Sequence, residues 1–108
     1  MADLEWNRAF AFEQSGEDEE ILAELLDLFR ESTAADLEKI KSGISAQDAK
    51  AVGEAAHSIK GAAASLGIEA MSKVAYEMEK AGRKNDLEVA IKHLPELEAL
   101  AGELESLK

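Results

Sequence analysis

The chain has 108 residues, 46% of them apolar, and a formal charge of −11 from 12 basic and 23 acidic side chains. That is enough chain for one core and too apolar for disorder, so a single domain over residues 1–108 is expected. Its acidity repels phosphate backbones and anionic lipid, which argues against nucleic acid and membrane as partners.

Cysteine is absent, so there is no disulfide or thiolate chemistry. No apolar run approaches the ~20 residues of a membrane span. Asp3 and Glu5 stand where a signal peptide would carry basic residues. A soluble cytoplasmic protein is expected, free-standing to judge from Met1 and the compact C-terminus, and monomeric. One proline and abundant Ala, Leu, Glu and Lys favour helix.

Residues 3–12 carry Leu4, Trp6, Phe10 and Phe12, which predicts a short helix with Trp6 and Phe10 on one face. It reads as a lid on one end of a bundle rather than an aromatic ligand box. Ser15 is the expected N-cap of a long helix from Glu17 to Ser42. Its acidic first turn suits the helix dipole and lacks the alternating ligands and turn glycine of a calcium loop. The expected core stripe is Ile21, Leu25, Leu28, Thr33 or Ser32, Leu37 and Ile40, widened by Leu22 and Phe29.

Gly43 reads as the stop of that helix, with the next element starting at Ile44-Ser45-Ala46. Residues 46–66 then show Ala49, Val52, Ala56, Ile59, Ala63 and Leu66, spaced as one face of a long packed helix. Gly67 is the expected C′ residue. A further helix is predicted over 69–84, with Met71, Val74, Ala75, Met78 and Ala81 inward and Arg83 and Lys84 complementing its C-terminal dipole. Asn85-Asp86 is a turn and N-cap. The last helix, 87–107, offers Leu87, Ile91, Leu94, Leu97, Ala101, Leu104 and Leu107, and Pro95 should bend it rather than end it. No strand signal appears. The expected fold is all-α: an antiparallel up-down-up-down four-helix bundle with an additional short N-terminal helix.

The third helix carries the chemistry. At about 100° per residue from Ala49, its stripe centres near 300° and His57 falls near 80°, facing outward. By the same count Lys50, Gly53, Lys60, Gly61 and Ala64 surround the ring. Each mid-helix glycine costs roughly 0.5–1 kcal/mol relative to alanine. Two on one face therefore imply a surface that a partner must approach. A neutral imidazole is a nucleophile near pH 7. If it takes a phosphoryl group, a cation at i+3, here Lys60, can pair with the new charge.

The stretch HSIKGAAASLG carries the pattern H-x-x-K-G-x-x-x-x-x-G and resembles the signature of histidine-containing phosphotransfer (HPt) domains. DEEILAELLDLFRES is similar to the family's long second helix, and KAGRKNDLE to its turn into the last helix, so the resemblance covers nearly the whole chain. It implies that His57 accepts a phosphoryl group, that Lys60 supports it and that Gly61 lets a receiver domain approach. It also implies a phosphorelay role: the group comes from a receiver aspartyl phosphate or a histidine kinase and passes to another receiver aspartate. The implied partners are response-regulator receiver domains, a hybrid histidine kinase, or both.

Many members carry a polar residue, often glutamine, on the following helix, and the matching position here is Glu79. A carboxylate repels phosphate unless it instead orients the imidazole through a ring N–H. No phosphate-binding loop is present, so no ATP site and no cofactor is expected, and any Mg²⁺ belongs to the receiver. The competing reading is a non-catalytic helical adaptor docking through the His57/Gly61 face. No metal site is expected, because His57 meets Lys60 and Gly61 one turn on, and His93 meets Glu96 and Leu97.

Overall fold

The computed structural model describes residues 3–107. Five α-helices follow in order: α1 Arg8–Gln14, α2 Glu19–Ser45, α3 Ala49–Ser65, α4 Glu69–Arg83 and α5 Leu87–Glu103, with a closing 3₁₀ turn Leu104–Ser106. Each of α2 to α5 packs on its neighbour in sequence, and α5 returns to α2, which closes the four-helix bundle. The α3–α4 interface is the most extensive. Among the described residues the only β-type pairing is an isolated bridge between Trp6 and Ile68.

The α3 stripe is buried throughout, from Ala49 to Leu66. The inward set of α4 is likewise buried, with Met71, Ala75 and Met78 fully enclosed. Gly67 has φ +69 and follows the α3 cap, the left-handed position a side chain resists. A Cβ there would also meet the Asn7 carbonyl at 2.8 Å, so the position is closed on both grounds. Asn85 takes φ 57, and the Asp86 side chain accepts from Val89 N–H to cap α5. The helix runs on through Pro95.

Several expectations are corrected. The first helix starts at Arg8, capped by Asn7, not at residue 3. Trp6 therefore does not share a helical face with Phe10. The segment before α1 instead runs beside the α3–α4 turn: Asn7 N–H donates to Gly67 O (2.8 Å), Ala70 N–H to Leu4 O (3.1 Å) and Trp6 Nε1–H to Leu66 O (3.0 Å). These long-range bonds satisfy backbone groups that a local helix would have paired within itself. Ser15 closes α1 rather than opening α2, and Asp18 caps α2, accepting from Glu20 and Ile21 N–H.

In α2 the buried line is Leu22, Leu26, Phe29, Thr33, Leu37 and Ile40, while Ile21 and Leu28 are exposed. Apolar residues stand at adjacent positions here, so periodicity allows two stripes about 100° apart, and packing against α3 and α5 selects one. Ile91 is exposed for the same reason, with Ala90, Leu97 and Leu100 buried on α5. Gly43 does not stop α2. It lies inside the helix and buried, where a Cβ would come within 2.9 Å of Val52 Cγ2. The chain turns instead at Gln47, φ 56, and Asp48 caps α3.

Candidate functional site

The site is built on the α3–α4 interface, and two glycines set its depth. Gly53 on α3 is buried, which corrects its expected place on the exposed face. A Cβ on Gly82 of α4 would fall 2.7 Å from Gly53 Cα and N and 2.8 Å from Ala49 O. The two backbones therefore touch with no side chain between them. One turn before Gly82, this approach brings the Glu79 side chain into reach of α3.

His57 stands on the outer face of α3 with its side chain 61% exposed, as the helical count requires. Its Nδ1 lies 3.0 Å from Glu79 Oε2. Glu79 is 1% exposed, the most enclosed charged group among the described residues. Lys60 Nζ lies 2.7 Å from Glu79 Oε1, and Arg83, one turn on from Glu79, pairs with Oε2. Lys60 Nζ also sits 5.2 Å from the Tyr76 ring centroid, and Lys80 Nζ stands 4.6 Å from the same ring. One buried carboxylate thus gathers an imidazole and two cations.

Burial pushes the Glu79 carboxyl up. The close ion pair with Lys60, the hydrogen bond with His57 and the charge of Arg83 outweigh it and hold the group below the usual carboxylate range. Glu79 is therefore an anion at neutral pH. An anion in this position accepts from a proton-bearing nitrogen, so Nδ1 carries the hydrogen, and in the neutral ring the lone pair then lies on Nε2.

The other positions singled out in the sequence divide. Gly61 is exposed and a Cβ there meets nothing within 4 Å. Ala64 and Lys50 are exposed as well. Lys50, Gly53, His57 and Arg83 line one shallow depression beside the ring, and Lys60 and Ala64 line another with Phe10 and Tyr76. His93 is half-buried on α5, away from this constellation. Among the described residues no group of three or more His, Cys, Asp or Glu side chains could hold a metal ion, and no helix is long and apolar enough to cross a membrane.

Arg83 and Gly82 were not singled out as site residues by the sequence. The signal for Arg83 is its i+4 spacing from Glu79, which the helix-dipole reading of its charge left unused. Nothing local marks Gly82, because its role depends on Gly53 across the interface.

A family model, Hpt domain, matches residues 24–107. No curated protein matches the sequence. Among solved structures the chain is similar to the histidine-containing phosphotransfer protein B of Pseudomonas aeruginosa PAO1. The TM-score is 0.85 at 22% identity, over 93% of this chain and 87% of that one. That likeness carries the bundle, and the family model carries the assignment: this chain belongs to the Hpt domain family, whose role is phosphotransfer in a phosphorelay.

Proposed function

We propose that His57 is the phosphoacceptor of this relay protein and that Nε2 is the atom that takes the phosphoryl group. The observation that carries the reading is the exposed ring tied through Nδ1 to a buried carboxylate, with Lys60 one turn away. The tie fixes both the ring plane and the tautomer. A nucleophile held in one orientation loses less freedom on the way to the transition state.

The donor is an aspartyl phosphate on a receiver domain or a phosphorylated histidine kinase, and the acceptor is the aspartate of another receiver. Nε2 attacks phosphorus in line with the departing carboxylate oxygen. Phosphoryl transfer needs positioning and charge neutralisation more than acid–base chemistry, and Lys60, one turn along α3 from His57, supplies a charge for it. Lys60→Ala is expected to slow transfer into His57 or shorten the phosphohistidine lifetime, and also to lower the melting temperature, because it strips buried Glu79 Oε1 of its counterion. Rapid-quench transfer kinetics beside thermal unfolding read both, and equal rates would remove Lys60 from this role.

Gly61 is the open floor next to the ring, with Ala64 beyond it, and Gly53 contributes through the packing beneath. Gly61→Gln adds helix propensity of up to about 1 kcal/mol. It also places a side chain where a receiver must come within bonding distance of Nε2. A more stable protein with impaired receiver docking is the expected result, measured as KM in the transfer assay. Unchanged transfer would mean the receiver approaches from another side.

A further inference from the structure

An amide at position 79 could accept the Nδ1–H bond and orient the ring. The carboxylate adds a negative charge 3.0 Å from that nitrogen, almost fully shielded from water. The charge matters most after the phosphoryl group has arrived, so its role rests on the reading of His57 as phosphoacceptor. When the Nε2–P bond forms, the P–O bond to the donor aspartate breaks and its electron pair leaves with that carboxylate. The ring then bears phosphoryl at Nε2 and hydrogen at Nδ1, so the imidazole carries a formal positive charge.

We propose that Glu79 keeps that hydrogen in place, so that His57 carries its cargo as a phosphoimidazolium rather than as a neutral phosphoimidazole. Onward transfer then breaks the P–N bond, returns the pair to Nε2 and leaves a neutral imidazole with Nδ1–H unchanged. No proton moves in either half of the relay. The leaving group is neutral imidazole in place of imidazolate, which makes the phosphoryl group quick to pass on. Glu79 is thus a positioning residue that also sets the protonation state of the carrier.

The surrounding charges favour this. From α3 the ring is faced by Lys50, Glu54 and Lys60, and from α4 by Glu79 and Arg83. Lys50 and Glu54 are exposed and opposite in sign, so solvent screens them and their effects oppose. Glu79 is the group hydrogen-bonded to the ring. In the resting protein it is shared with Lys60 and Arg83. Once Lys60 turns to the phosphoryl oxygens, Glu79 has one counterion fewer, and its attraction for Nδ1–H grows. Loading the carrier therefore tightens the bond that keeps it reactive.

The test uses full-length protein with ¹⁵N-labelled histidine, phosphorylated by phosphoramidate, with His93 as an internal reference. The Nδ1 resonance of phosphorylated His57 is followed from mildly acidic to alkaline pH. Wild type is expected to hold the proton to a pH about one unit or more above that of Glu79→Gln. Arg83→Gln, which removes a counterion from Glu79, is expected to shift the midpoint the other way, upward. Onward transfer to a receiver should be slowed about tenfold in Glu79→Gln at alkaline pH and converge with wild type in acid. Coincident midpoints in wild type and both variants, each with native circular dichroism, would overturn the proposal and leave the relay reading standing. Absence of phosphate on His57 in the wild type overturns both.

Discussion

His57→Gln is expected to abolish phosphoryl acceptance and leave the fold as it was. The ring is largely in solvent and contributes nothing to the core stripe of α3, which runs along the opposite side through Ala56, Ile59 and Ala63. Exposed substitutions of this kind usually stay within about 0.5 kcal/mol. Glutamine can still donate to Glu79, so the buried carboxylate keeps a partner along with Lys60 and Arg83. The nitrogen lone pair is what disappears. Full-length protein labelled from a phosphorylated receiver, compared with the variant by circular dichroism and by incorporated phosphate, reads both halves. Label remaining in the variant would transfer the acceptor role to another side chain.

Gly82→Ala is expected to produce the largest stability loss of any single methyl added to the chain's α3–α4 interface. The new Cβ would lie 2.7–2.8 Å from three backbone atoms of α3, none of which can rotate away. Overpacking of this kind costs about 1–3 kcal/mol, and with rigid backbone on the far side the upper end applies. Better helix propensity offsets about 1 kcal/mol of that. The remaining ~2 kcal/mol corresponds to a fall of roughly 10 °C in Tm for a domain of this size.

The same methyl on Gly53 meets Gly82 Cα, Arg83 N and Glu79 O at 3.6–3.7 Å, an ordinary contact. Gly53→Ala should therefore be neutral or slightly stabilising. Thermal unfolding of the two variants side by side tests the asymmetry, and equal losses would contradict it. Because the Gly53–Gly82 approach sets how far Glu79 lies from α3, Gly82→Ala should also slow phosphoryl transfer, whereas Gly53→Ala should not.

That asymmetry marks where sequence reading runs out. The α3 stripe could be read because small and large apolar residues recur along one face with polar residues elsewhere, which leaves a single solution. The α2 stripe could not, because Ile21-Leu22 and Leu28-Phe29 put apolar side chains at neighbouring angles, and only the partners decide which of each pair is buried. Glycines carried the same ambiguity. Gly61, Gly53, Gly43 and Gly82 look alike in the sequence, yet one is open surface and three are buried within the helix packing. The segment before α1 was legible as apolar and aromatic, but its bonds to residues 66–70 depend on chain that folds far from it in sequence.

At the site, the pattern of His57, Lys60 and Gly61 was visible because all three lie on one helix, where spacing converts directly to direction. Glu79 could be matched by position, but its burial and its hold on Nδ1 depend on the α3–α4 crossing. Arg83 was visible as a charge and not as a partner. Interactions within a helix follow from periodicity, and those between helices wait for the packing that creates them.

Transfer of radiolabelled phosphate from an aspartyl-phosphorylated receiver domain to the purified protein tests the phosphoacceptor role of His57 most directly. Label should leave the receiver rapidly and reappear on this chain as an acid-labile, alkali-stable adduct mapped to His57. A receiver panel from the same cell that leaves the chain unlabelled, or label that persists in His57→Gln, would contradict that role.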